Sequence, residues 1–71
     1  MDTVEVFRTT VGTPAQAHVL RARLQQLFPA CRINFDLEDC DNVLRIAGFP
    51  QCPRQTIACL VGAGYECAAL E

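Results

Sequence analysis

Five cysteines, Cys31, Cys40, Cys52, Cys59 and Cys67, carry most of the reactive chemistry of this chain. The number is odd, and none stands in a Cys-x-x-Cys pair. A secreted disulfide scaffold calls for an even, denser set, and a structural zinc site for paired close spacings. Most of these cysteines therefore read as small buried or half-buried hydrophobes in a reducing compartment. Cys52 precedes Pro53 at the start of a helix, where the dipole stabilises a thiolate, so it is the candidate for reactivity. Cys40 and Cys67 fall at or near one end of the expected fold and form the candidate pair for a soft-metal site, while Cys31 and Cys52 fall toward the other. The single histidine, His18, lies on the polar side of a helix with Arg21 and Gln25, far in sequence from any cysteine. A nucleophile needs an adjacent base and a group to orient it, and this pattern offers neither. Four of the eight acids lie between Asp36 and Asp41, on a wet strand and turn where raised carboxylate pKa values are not expected. The chemistry points away from an enzyme.

Six short elements would position these groups. Residues 4–10 are β-branched and aromatic and are bounded by Gly12, which predicts a strand. Val4 and Val6 share one face and are assigned to the core, with Val11 returning to it beyond a local irregularity; Phe7 is left on the opposite, open face. Thr13 is a good N-cap, Pro14 suits the first helical position, and Gln16 can bond back to the cap's own amide to complete a capping box. Ala17, Leu20, Leu24, Leu27 and Phe28 form the apolar stripe of a helix over residues 14–28, which Pro29 stops. Residues 31–38 alternate, with Ile33, Phe35 and Leu37 inward and Arg32, Asn34, Asp36 and Glu38 outward. A turn over residues 39–42 leads to a strand over 43–47, with Leu44 and Ile46 inward and Arg45 outward, within reach of the acids. Cys52-Pro53-Arg54-Gln55 repeats the X-Pro-x-Gln start of the first helix and opens a second, whose stripe is Ile57, Leu60 and Val61. Gly62 and Gly64 end it, one of them left-handed, before a last strand over 65–70.

The order β-α-β-β-α-β predicts an α+β chain, a single domain over residues 1–71 with the ferredoxin-like arrangement. Right-handed crossovers then give a four-stranded antiparallel sheet of order 4-1-3-2, with two helices on one face and the other face open. The net charge of -2 and six scattered arginines argue against nucleic acid. No apolar run approaches the ~20 residues that span a membrane. Met-Asp-Thr-Val-Glu-Val lacks the basic and apolar regions of a signal peptide, so a cytoplasmic location is expected.

The chain resembles the heavy-metal-associated domain family, the fold of small copper chaperones and of the N-terminal modules of metal-transporting ATPases. Ala17, Val19, Leu20 and Leu24 stand one, three, four and eight residues after Gln16, the spacing of that family's first helix after its metal loop. Ile33-Asn34-Phe35-Asp36-Leu37 through Val43-Leu44-Arg45-Ile46 is similar to its central hairpin, and Ala63-Gly64-Tyr65 to the end of its second helix. The family loop reads Met-x-Cys-x-x-Cys. In this register Val11 stands for the methionine, and Thr13 and Gln16 stand for the two metal-binding cysteines. A soft ion such as Cu(I) needs thiolates, and hydroxyl and amide oxygens are poor partners for it. The resemblance thus implies the fold without the usual metal site. The expected function is a cytosolic, non-enzymatic binding or adaptor protein with no cofactor. It would dock a protein partner or a second copy through an open face at Phe7, Val43 and Arg45. The alternative is a copper or zinc carrier using the displaced thiols Cys40 and Cys67.

Overall fold

In the computed structural model, which describes residues 3–38 and 40–70, alternation along each strand decides which side chains are buried. The elements are β1 (Val4–Thr9), α1 (Pro14–Leu27), β2 (Arg32–Asp36), β3 (Val43–Ala47), α2 (Pro53–Gly62) and β4 (Cys67–Ala69). The four strands form one antiparallel sheet in the order β2-β3-β1-β4. From the opposite edge the same row reads 4-1-3-2. Phe7 pairs with Leu44 on one side and Ala69 on the other, and Leu44 pairs with Phe35. These side chains share the face on which Ile33 and Ile46 also lie. Both helices pack there, so Leu20 and Leu24 of α1 and Leu60 of α2 join the same buried cluster.

The β1 assignment has to be reversed. Phe7 is 0% exposed and lies in the core, whereas Val4 is 55% exposed and Val6 is half-buried on the other face. The face of Phe7 also leads to Val11, and burying this pair removes more apolar surface from water than burying Val4 and Val6. Val11 is fully buried, and it needs no irregularity because it keeps the parity of Phe7 and Thr9. Two helix assignments also change. Leu27 and Val61 face solvent, and Thr56 is buried in α2, its hydroxyl donating to the Cys52 carbonyl at 3.2 Å. The last strand is shorter than residues 65–70, and β2 stops at Asp36.

Side-chain amides finish the ends that the helix pattern left open. The Gln25 amide donates to the carbonyls of Phe28 (3.1 Å) and Cys31 (2.8 Å), holding the chain where α1 turns into β2. The Gln51 amide donates to the carbonyls of Thr3, Ile46 and Gly48 at 3.0–3.1 Å, joining the start of β1 to the end of β3. Gly48 has φ +119°, and a Cβ there would lie 3.2 Å from the Cys31 Cα, so both the backbone and the space require glycine. Gly62 is the last residue of α2, and Gly64, just beyond it, takes the left-handed conformation. Asp39 of the expected turn lies outside the described residues.

Candidate functional site

None of the described elements covers the sheet face turned away from the helices. By strand parity it carries Val4, Val6 and Arg8 of β1, Arg32, Asn34 and Asp36 of β2, and Arg45 and Ala47 of β3. Beside β1 it adds Ala68 and Leu70, the latter donating its amide to the Val6 carbonyl at 2.8 Å. Of the three residues expected to dock a partner, only Arg45 remains available. Phe7 points into the core, and Val43, though its parity is that of the open face, is 3% exposed between Asp36 of β2 and the neighbouring β1 strand.

Charge is unevenly distributed over this face. It holds three of the six arginines, Arg8, Arg32 and Arg45, all exposed, in a chain of net charge -2. Asp36 is the one acid on it among the described residues, and it pairs with Arg45 at 3.7 Å. That pair is half-exposed and contributes little to stability. Val4 and the 37% exposed Leu70 give the face an apolar end. Phe49, 72% exposed, lies next to it, because Gly48 donates its amide to the Thr3 carbonyl at 2.8 Å. No aromatic side chain lies on this face among the described strand residues.

At the end of the molecule where the metal loop of the resembled family would lie, oxygens and amides bond to one another. The Thr13 hydroxyl accepts from the Gln16 amide at 3.2 Å, and the Gln16 side-chain oxygen accepts from the Gly12 amide at 3.1 Å. The clasp closes one residue earlier than a standard capping box, on Gly12 rather than Thr13. Thr9 is nearly buried, and its hydroxyl donates to the Asn42 carbonyl at 2.7 Å while accepting from the Val11 amide at 3.2 Å. Thr10 exchanges bonds with Glu66: its amide donates to the Glu66 carbonyl (3.2 Å), and the Glu66 amide donates to its hydroxyl (2.9 Å). The polar groups of this end are thus bonded to the backbone. Thr9 was hidden because it shares the parity of Phe7, which the pattern of β1 had set on the open face; Gln25 and Gln51 gave no pattern, because a glutamine's amide reach is not periodic.

All five cysteines are free thiols. Cys40 is exposed on the hairpin, Cys31 is buried with its sulfur 3.4 Å from the Pro50 carbonyl, and Cys52 precedes α2 without a side-chain capping bond. Cys67 is half-buried on the helix-covered face opposite Thr9. Burial, and then the nearby Cys59 thiol, push the Cys67 thiol up to about 11 from 9.0. Among the described residues no group of three or more His, Cys, Asp and Glu side chains could hold a metal ion. His18 and Arg21 of α1 line an open groove of about 690 Å³ at the edge of the sheet, together with Asn34 and Asp36 of β2, Glu38 beyond it and Arg45 of β3. Among the described residues no helix is long and apolar enough to cross a membrane. No family model, curated protein or solved structure matches the chain.

Proposed function

We propose that this chain is a non-enzymatic docking module that uses the open sheet face to bind an acidic, partly apolar protein surface. The observation behind this reading is the gathering of Arg8, Arg32 and Arg45 beside Val4 and Leu70 on an uncovered face of an otherwise acidic chain. Arginine suits carboxylates because its planar fork donates two parallel hydrogen bonds. Opposed charge speeds encounter and fixes register, while the apolar end supplies the area that leaves water. Two copies meeting by this same face would set arginines against arginines, so the partner is a different surface. Single-stranded nucleic acid needs a row of stacking platforms, and the described strand residues of this face are aliphatic or polar, with Phe49 alone beside them.

The β-α-β-β-α-β order and the antiparallel sheet support the ferredoxin-like reading, and with it the likeness to the heavy-metal-associated domains. Under that parallel, Thr13 and Gln16 have exchanged metal binding for helix capping. The docking test is calorimetry with a synthetic peptide of alternating leucine and glutamate. Wild type is expected to bind, more weakly as salt rises, and Arg8→Glu/Arg32→Glu is expected to lose about tenfold or more in affinity. Equal binding by the two proteins would remove the open face as the site.

A further inference from the structure

We infer that a second copy of this chain pairs with the first along the free edge of β2, antiparallel and with Asn34 opposite Asn34, so that the two sheets become one. β2 ends the row of strands and has a neighbour, β3, on one side only. Hydrogen bonding alternates along an antiparallel strand: one residue turns its amide and carbonyl to one neighbour, and the next turns them to the other. The Gly48 amide donates to the Thr3 carbonyl at 2.8 Å, which sets Leu44 and Ile46 toward β1 and Val43, Arg45 and Ala47 toward β2. Their partners Arg32, Asn34 and Asp36 turn to β3, so the amides and carbonyls of Ile33 and Phe35 point off the sheet. Cys31 has the same parity but is already closed: its amide donates to the Phe28 carbonyl at 3.0 Å, and its carbonyl accepts from the Gln25 amide at 2.8 Å. The open stretch of β2 is therefore centred on Asn34.

The same edge is open to a strand. Residues 34–38 line the groove of about 690 Å³ in an unbroken run, with His18 and Arg21 of α1 along one side. With Asn34 at the two-fold axis, Ile33 lies opposite Phe35 of the second copy, and the two such pairs exchange the free backbone groups of both residues. On the open face Arg32 then lies opposite Asp36 of the second copy, and Asp36 opposite its Arg32. Opposite charges at directly facing positions favour a strand pair, and like charges oppose it. A two-fold contact must complement itself and so carries both signs, as this groove does with Arg21 and Arg45 beside Asp36 and Glu38. That balance of sign distinguishes the edge from the arginine-rich docking face and selects a second copy as its occupant. The inference does not rest on the docking face, which stays open because the second copy adds beside the sheet rather than over it.

The test is sedimentation velocity over a wide range of protein concentration. Wild type is expected to pass from the mass of one chain to that of two as concentration rises. Arg32→Asp sets acid against acid at both facing positions and is expected to weaken the pair by about tenfold or more. The exchanged variant Arg32→Asp/Asp36→Arg restores opposite charges and is expected to dimerise as wild type does. Circular dichroism checks that both variants are folded. A second measurement needs no variant: in wild type the Ile33 and Phe35 amides should exchange more slowly with deuterium as the dimer forms. A wild type that keeps the mass of one chain throughout overturns the edge pairing. So does a dimer that Arg32→Asp leaves unweakened, a folded exchanged variant that stays single, or a dimer whose Ile33 and Phe35 amides exchange as fast as in the single chain.

Discussion

The Thr9 hydroxyl holds the hairpin carbonyl of Asn42 and the amide of Val11 at once, linking two loops across the sheet end. Thr9→Val keeps the shape and removes both bonds, leaving a buried amide and a carbonyl without partners. It should cost about 2 kcal/mol in a urea-unfolding measurement, within the usual range for such orphaned groups. Thr13→Ala should cost about 1 kcal/mol by the same measurement, the ordinary loss on removing an N-cap. Cys67 gives a pH dependence. Its folded thiol ionises at about 11 and its unfolded thiol at 9.0. Below pH 9 both states hold the proton and the full stability is present; above it the unfolded chain ionises first, and stability falls as pH rises toward 11. Wild type should therefore lose urea-midpoint stability between pH 8.5 and 10.5 relative to Cys67→Ala, roughly the window the linkage relation sets. Parallel curves for the two proteins would contradict the burial assigned to this thiol.

At the scale of elements, much of the order was legible and the β1 parity was not. The β2–β3 alternation, with Ile33, Leu44 and Ile46 inward, was readable because each strand has one clear wet face. The Thr13-Pro14 start of α1 was readable because capping is local chemistry. In β1 both faces carry apolar residues, so pattern alone could not choose, and pairing with Leu44 and Ala69 decided for Phe7. Val61 and Thr56 exchanged roles because the orientation of α2 depends on where β4 lies, which a three-residue strand barely signals. Phe7→Ala should destabilise by about 3–5 kcal/mol, the range for a large buried side chain, and in so small a core it should leave much of the chain unfolded by circular dichroism. Val4→Asp should change stability by less than about 1 kcal/mol, since Val4 already faces water.

At the scale of the whole molecule, the helices cover one face of the sheet and leave arginines and aliphatic groups together on the other. The candidate docking site was only partly legible. The β2–β3 alternation already set Arg32 and Arg45 outward, but Arg8 joins them only once the parity of β1 is known, since β1 carries apolar residues on both faces. The same charge makes same-face dimers unfavourable. The most direct test of the docking face is a backbone amide shift titration of the labelled protein with the leucine–glutamate peptide. Shifts centred on Val4, Val6, Arg8, Arg45 and Leu70, and abolished in Arg8→Glu/Arg32→Glu, are the predicted result. Shifts centred on α1 and α2, with the open sheet face unmoved, would contradict it.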